Sequence, residues 1–325
     1  DRVRRRVYVA NADDGALTVI RDLSQLRRLS LPLLLRAGGG GPAPEREPTP
    51  SETPTSLVEP SAIDLSLPRR PLEVTTLGVA PGLGEGRSVR AMALDEGRRR
   101  LLLASEDELI VLDALSGRTI YTRPLAAPAM ALAADEGSGA IYAVLPGRGE
   151  LCAFGPDGAS LGGVDGLGRP TNLVVGLGRI YVADSEGRRV VAIDGESLTI
   201  VAERVLPAAP HALALDAEAR RLYVGEMGIG TILALDAGTL RPIDQVVLGG
   251  LGYPRDLALD GAAGRLYVAH ALSPKYGAIS AIDVADMSII GTVWGNEERP
   301  LSGADVVAVD GRRGVVLLGQ ADGVV

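Results

Sequence analysis

The chain repeats one short apolar run at intervals of 39 to 49 residues over most of its length, and this repeat decides what it can fold into. The run RLYVGE at 221–226 carries Tyr and Val, which favour strands. From Leu102 to Tyr142 is 40 residues, and the next steps, to Tyr181 and Tyr223, are 39 and 42. The other copies are RVYVAN (6–11), RLLLAS (100–105), AIYAVL (140–145), RIYVAD (179–184), RLYVAH (265–270) and GVVLLG (314–319).

Each copy sits in a set of four apolar runs separated by Gly, Pro, Asp or Glu, as the stretch 210–248 shows. Four strands in sequence order make one antiparallel sheet, and such a sheet buries both faces only by stacking against similar sheets. A strand-only repeat of this period predicts an all-β fold, a β-propeller of four-stranded antiparallel blades. Seven second strands favour seven blades; six are possible if 304–310 completes the blade begun at 6–31. We expect the ring to close by pairing of the N- and C-terminal segments.

The sequence resembles the YVTN-type (NHL/YVTN-like) family of bacterial β-propellers, whose name matches Tyr-Val-Ala-Asn at 8–11. By the repeat, the resemblance covers about four-fifths of the chain. It implies a propeller fold, and members of this kind are mostly binding or scaffold proteins with poorly defined ligands. Related propellers include lactonases and metal-dependent sugar-lactone hydrolases, which keeps an enzyme as an alternative.

The spacing of the repeats breaks once and so divides the chain. Residues 1–31 are predicted as a first, partial blade, with LRRLSL (26–31) as its third strand. Residues 32–80 are an insertion whose Pro/Gly/Thr-rich part at 38–56 is expected to be disordered; VTTLGV (74–79) is either an outer strand or a cover on the disc. The remaining blades occupy 81–325, with the last incomplete, which suggests a processed or truncated product.

Composition limits the possible partners and locations. The net charge of −8 argues against nucleic acid. No run of 18 apolar residues exists, so no membrane span is predicted. Pro mixed with Thr and Ser, common in extracellular linkers, favours a secreted, periplasmic or cell-surface protein, and we expect a monomer. Short Arg runs such as 98–100 precede second strands; they either pair across the turn with an Asp such as Asp95 or form an anion-binding rim.

Inner strands line the axis of a propeller, so the residues at their starts and at the ends of the second strands share one face. Both histidines of the chain fall on this face. Two imidazoles and two carboxylates could bind a divalent transition metal; the alternative, which we favour, is that they are solvated loop residues around a water-filled channel. The predicted metal ligands are His211, Glu226, Asp256 and His270. Further residues predicted to line the face are Asn172, Asp184, Arg255, Lys275 and Tyr276.

The sequence contains no GxSxG motif, P-loop or calcium loop, so no catalytic or cofactor-binding residue is predicted. We therefore expect a non-catalytic binding or scaffold module of the cell envelope or extracellular space. Its ligand, a protein, small molecule or carbohydrate, would be presented on the disc face. One alternative is a metal-dependent lactonase-like hydrolase with an axial site. The other is a docking subunit for a redox partner.

Overall fold

The structure is a computed structural model that describes eight separate parts of the chain. The insertion predicted at 32–80 lies outside them except for its last strand. The described residues are 6–10, 16–21, 73–79, 89–271, 277–294, 305–311, 315–320 and 323–324.

Every regular element in these residues is a β-strand, and the strands form seven antiparallel sheets, which we number in chain order. Sheets 1 and 2 comprise β1 (Arg6–Ala10), β2 (Ala16–Arg21) and β3 (Glu73–Val79), then β4 (Ala91–Asp95), β5 (Arg100–Ala104), β6 (Glu108–Asp113) and β7 (Thr119–Pro124). Sheets 3 and 4 comprise β8 (Ala131–Ala134), β9 (Ile141–Leu145), β10 (Glu150–Phe154) and β11 (Ser160–Val164), then β12 (Pro170–Gly176), β13 (Arg179–Asp184), β14 (Arg189–Asp194) and β15 (Ile200–Val205). Sheets 5 and 6 comprise β16 (Ala209–Asp216), β17 (Arg221–Met227), β18 (Thr231–Asp236) and β19 (Pro242–Val247), then β20 (Pro254–Asp260), β21 (Arg265–Ala271), β22 (Gly277–Asp283) and β23 (Ser288–Trp294). Sheet 7 comprises β24 (Val306–Asp310), β25 (Val315–Gln320) and β26 (Gly323–Val324).

Sheets 2 to 6 each have four strands that pair in chain order, and their inner strands lie side by side. Strand β4 contacts β8, and the series continues through β12, β16 and β20 to β24. This confirms the predicted all-β fold of stacked four-stranded sheets. No described residue is helical, so the described residues contain no helix long and apolar enough to cross a membrane.

The two terminal sheets differ from the sequence prediction. The third strand of sheet 1 is β3, which pairs with β2 through Val74 and Ile20, so the run at 74–79 is an outer strand rather than a cover. The predicted strand at 26–31 lies outside the described residues. Strand β24 pairs with β25, so residues 304–310 do not complete the first sheet. Among the described strands, therefore, the predicted pairing of the two ends does not occur, and the seven-sheet alternative is the one observed.

Five of the six apolar clusters found among the described residues are shared by two neighbouring sheets, and the sixth lies on sheet 2. Val144 and Leu151 of sheet 3 pack with Ile180 and Val182 of sheet 4, and the pattern continues between sheets 4 and 5, 5 and 6, and 6 and 7. The tyrosine of the repeated run faces the following sheet. Its ring fills the contact while its hydroxyl reaches a turn of that sheet, as when Tyr181 donates to the Ala237 carbonyl at 2.8 Å. The repeated run is thus the packing surface between sheets.

Candidate functional site

The chain direction gives the stack two different faces. We call the face on which the inner strands begin the top face; the second strands end there. The opposite face, where the inner strand turns into the second and the third into the fourth, is the bottom face. The described residues among the predicted metal ligands and face-lining positions lie on the strand ends at the top face.

In sheets 4, 5 and 6, a bulge at the start of the inner strand leaves one residue out of the regular ladder, and we call its place the bulge position. In sheet 5, Pro210 pairs with Glu226 and Ala212 with Gly225, which leaves His211 without a paired residue. The same shift leaves out Thr171 and Arg255 in sheets 4 and 6. Proline has no N–H for the ladder, and a bulge re-aims the side chain that it releases. By register, Arg90, Met130 and Asp305 hold the corresponding positions in sheets 2, 3 and 7.

The residue at the end of the second strand serves a different purpose, because it is buried. Asp184 is fully buried and accepts hydrogen bonds from the amides of Gly168 and Arg169, at 3.0 and 2.8 Å, in the loop that enters sheet 4. It also accepts a bond from Arg189 Nε at 2.9 Å. Burial alone would raise the pKa of Asp184, but these bonds and one from the Gly187 amide outweigh it and hold the pKa below its usual value. Asp184 was predicted to line the face. Instead, its buried carboxylate anchors the incoming loop.

Glu226 and His270 occupy the position of Asp184 in sheets 5 and 6. The Glu226 carboxylate is buried and accepts the amide of Ala208, 3.0 Å away in the incoming loop. Burial raises the pKa of Glu226, and the Ala208 amide opposes this in part. His270 is fully buried; its Nε2 lies 3.0 Å from Ser280 Oγ, and its Nδ1 has no hydrogen-bond partner among the described residues. Burial lowers the pKa of His270 to about 4, so the imidazole is neutral near pH 7.

The structure does not bring the four predicted metal ligands together. Asp256 pairs with Ala269 whereas His270 pairs with Pro254, so the two side chains lie on opposite faces of sheet 6. Asp256 turns to sheet 7, where it accepts the Val307 amide at 3.0 Å. Sheet 5 separates Glu226 from His270, since each faces the sheet that precedes its own. In the part of the chain that the structure describes, no group of three or more His, Cys, Asp or Glu is placed to hold a metal ion.

Two of the remaining predicted positions are described, and both lie on inner strands at the top face. Asn172 is partly buried at the start of β12. Arg255 is accessible, and its Nε donates to Asp305 Oδ1 at 3.1 Å, which joins sheets 6 and 7. Lys275 and Tyr276 lie outside the described residues.

Sequence reasoning missed Arg169, which precedes Pro170 and is exposed beside the start of β12. Its charge, together with those of Arg255 and Asp305, acts on the partly buried imidazole of His211. Burial is the largest cause that lowers the pKa of His211; Arg255 and then Arg169 lower it further, and Asp305 opposes them. A proline recurs just before the inner strands, and it marks where the incoming loop reaches the top face. This pattern was the signal in the sequence that could have pointed to Arg169.

Comparison with known proteins supports the fold and leaves the function open. No protein-family model matches the chain, and no curated protein matches it. A chain in the crystal structure of a mitotic checkpoint complex is similar, with a TM-score of 0.70 and 12% sequence identity. The match covers 98% of this chain and 82% of that one. With the stacked four-stranded sheets, this likeness shows a β-propeller. Because 1572 chains of solved structures match, the likeness alone selects no activity.

Proposed function

We propose that the chain is a non-catalytic propeller module that binds a protein partner or ligand on its top face. The observation that carries this proposal is the variety at the bulge position. The six equivalent side chains are Arg90, Met130, Thr171, His211, Arg255 and Asp305, and all except Thr171 are exposed or partly exposed. Equivalent positions that differ in charge and polarity give the face a shape and charge pattern of its own. The repeated fold would form equally well with one residue type at this position, so the variety supports a role in binding.

The alternatives receive less support. A lactonase-like site would need the His211, Glu226, Asp256 and His270 side chains to converge, and the register of sheets 5 and 6 separates them. No described feature bears on docking of a redox partner, which stays a prediction. Membership of the YVTN-like propellers rests on the Tyr-Val runs, whose tyrosines pack between sheets. A location in the cell envelope or outside the cell rests on the composition of the insertion, and cell fractionation of the full chain tests it.

Site-directed photo-crosslinking in cells that carry the full chain tests the binding face. A photoreactive side chain replaces Met130, which is 42% exposed and holds the position in sheet 3 that corresponds to the bulge position. The matched control replaces Ile243, which is 49% exposed on the outer strand of sheet 5. We expect a covalent adduct of defined mass from position 130 and none from position 243. An adduct at neither position, or only at position 243, contradicts binding at the top face.

A further inference from the structure

The top face carries a cluster of charges where sheets 4 to 7 meet. His211 and Arg255 occupy the bulge position of adjacent inner strands, β16 and β20. Asp305 holds the same position before β24, and Arg169 lies just before β12. The four residues therefore come from four consecutive sheets. All four are exposed or partly exposed.

The cluster has an excess of positive charge. Arg169 and Arg255 both act on the imidazole of His211, and Asp305 opposes them. Two guanidinium groups against one carboxylate leave a net charge of +1 while His211 is neutral. On the same sheet, Glu226 pairs with Pro210, the residue before His211, but its carboxylate is buried and accepts the Ala208 amide. Glu226 is thus already used within the fold.

Several hydrogen-bond donors of the cluster are unused. Among the described residues, neither the Arg169 guanidinium nor the His211 imidazole makes a hydrogen bond or ion pair. Arg255 bonds Asp305 through Nε, and its two terminal nitrogens have no partner in the described part. Guanidinium groups present donors in a planar fork that matches a carboxylate. Unused donors of this kind on an accessible face provide a ready contact for an acidic group.

We propose that Arg169, His211 and Arg255 form a carboxylate-binding site that takes an acidic segment of a partner protein. The proposal rests on the proposed function, because it names the chemistry of the partner that the top face would bind. A carboxylate fits better than a phosphate dianion, since the cluster offers a single net positive charge and Asp305 would repel a second negative one. The Arg255–Asp305 pair shows that a carboxylate already fits against this guanidinium.

Proton NMR of the imidazoles gives a direct test, because the chain has only two histidines. His270 is fully buried, with a pKa of about 4, whereas His211 is partly exposed and its pKa is lowered mainly by burial, so the two imidazoles are expected to titrate separately. The probe is a peptide of three glutamates blocked at both ends; the control peptide has three glutamines. A carboxylate beside the imidazole favours its charged form, so we expect the glutamate peptide to raise the pKa of His211 by about 1 unit and the glutamine peptide to leave it unchanged.

Variants establish which residues hold the peptide. Arg169→Gln should lower the affinity for the glutamate peptide about tenfold, because one charge-assisted contact is lost. The matched control is Arg204→Gln, an exposed arginine on the outer strand β15, which should leave binding unchanged. Asp305→Asn removes the resident carboxylate and should tighten binding. An unchanged thermal midpoint shows that each variant is folded.

Three results would overturn the carboxylate site. One is an unchanged pKa of His211 at millimolar glutamate peptide. Another is an equal response in the Arg169→Gln/Arg255→Gln double variant. The third is an equal or larger effect of inorganic phosphate at matched ionic strength, which would make the cluster an unselective anion site. A crosslink at position 130 combined with any of these would reject the carboxylate site while the proposed function stands, so the two failures are distinguishable.

Discussion

The bottom and top faces of the propeller use polar residues in opposite ways. On the bottom face, the same contact recurs from sheet to sheet. The arginine that begins the second strand donates to a backbone carbonyl in the next sheet: Arg100 to Pro156 at 2.7 Å, Arg179 to Gly238 at 2.6 Å and Arg221 to Val284 at 2.8 Å. On the top face, the equivalent buried residue changes in each sheet. It is Ser105 in sheet 2, Asp184 in sheet 4, Glu226 in sheet 5 and His270 in sheet 6.

The turns between the third and fourth strands, also on the bottom face, repeat one structure as well. Asp113, Asp194 and Asp236 each accept the amide of the residue three positions later, at 2.7, 2.8 and 2.8 Å. One residue further on, the chain adopts a left-handed conformation, at Gly117, Leu198 and Leu240. Residues that recur at equivalent positions meet the same demand of the fold in each sheet that carries them. The bottom face therefore holds the stack together, and the top face is where the chain can vary its chemistry.

The largest expected effect comes from breaking the bottom-face contact of Arg100. Its guanidinium is buried, pairs with buried Asp95 at 2.6 Å and also donates to Gly139 and Pro156 of the next sheet. Arg100→Met keeps an apolar stem but leaves a carboxylate buried without its ion pair. The free energy of unfolding should fall by about 3–5 kcal/mol, measured by urea denaturation.

An exposed pair provides the control. Arg148 and Glu150 form an ion pair at the surface of sheet 3, so Arg148→Met should lower the free energy of unfolding far less than Arg100→Met. Adding Asp95→Asn to Arg100→Met should recover part of the loss, because the unpaired charge is removed. Equal effects of Arg100→Met and Arg148→Met would show that the repeated bottom-face contact does not stabilise the stack.

The sequence repeat made the fold predictable, and it also made some of the bottom-face contacts predictable. Alternating apolar runs marked the strands, and the pairing of Asp95 with Arg100 follows from their places on two strands joined by a short turn. The contacts of Arg100 with Pro156 and Gly139 could not be predicted, because they depend on how far one sheet is rotated against the next. Strand β3 was uncertain for another reason: about 50 residues separate it from β2, and no local pattern specifies the pairing of strands so far apart.

The second prediction concerns two top-face residues that should give stability opposite dependences on pH. Unfolded His270 takes up a proton as the pH falls below about 6.5, but the folded imidazole does so only at about pH 4. Its contribution to stability should therefore fall by about 2 kcal/mol from pH 7 to pH 5. Burial raises the pKa of Asp256 to about 6, against the Val307 and Leu257 amides, so its contribution rises over the same range.

Single variants separate the two contributions. Relative to the unchanged chain, His270→Gln removes the loss due to His270, so stability should fall less or rise more from pH 7 to pH 5. Asp256→Asn removes the gain due to Asp256, so stability should fall more than in the unchanged chain over that range. Denaturation at pH 7, 6 and 5 measures both slopes, with Asp194→Asn in an exposed bottom-face turn as the control. Parallel slopes in the two variants would contradict the burial of either group.

The candidate site was only partly predictable, because position along a strand does not fix the face of the sheet. Asp256 and His270 were expected to converge since both lie at the same end of neighbouring strands. The bulge at Arg255 pairs His270 with Pro254, and alternation then places the two side chains on opposite faces. Burial was the second hidden factor. Asp184 reads as a surface acid in the sequence, but the loop amides of Gly168 and Arg169 close over it.

The smallest expected effect compares one residue type at the same position in two adjacent sheets. Tyr181 and Tyr223 are both fully buried, and Tyr181 donates to the Ala237 carbonyl at 2.8 Å. The Tyr223 hydroxyl makes no hydrogen bond of ordinary geometry among the described residues, although the Arg221 guanidinium lies near it. Replacement of either tyrosine by phenylalanine removes only the hydroxyl, so the apolar contact between sheets is retained.

Tyr181→Phe should therefore lower the free energy of unfolding by about 1 kcal/mol, because a buried hydrogen bond is lost. Tyr223→Phe should leave it unchanged or raise it slightly, because a buried hydroxyl without a partner opposes folding. Thermal and urea denaturation of the two variants at pH 7 measure the difference. No loss in either variant would mean that the tyrosines stabilise the stack through ring packing alone. The hydroxyl-to-carbonyl contact would then no longer belong to the repeated features that distinguish the bottom face from the top.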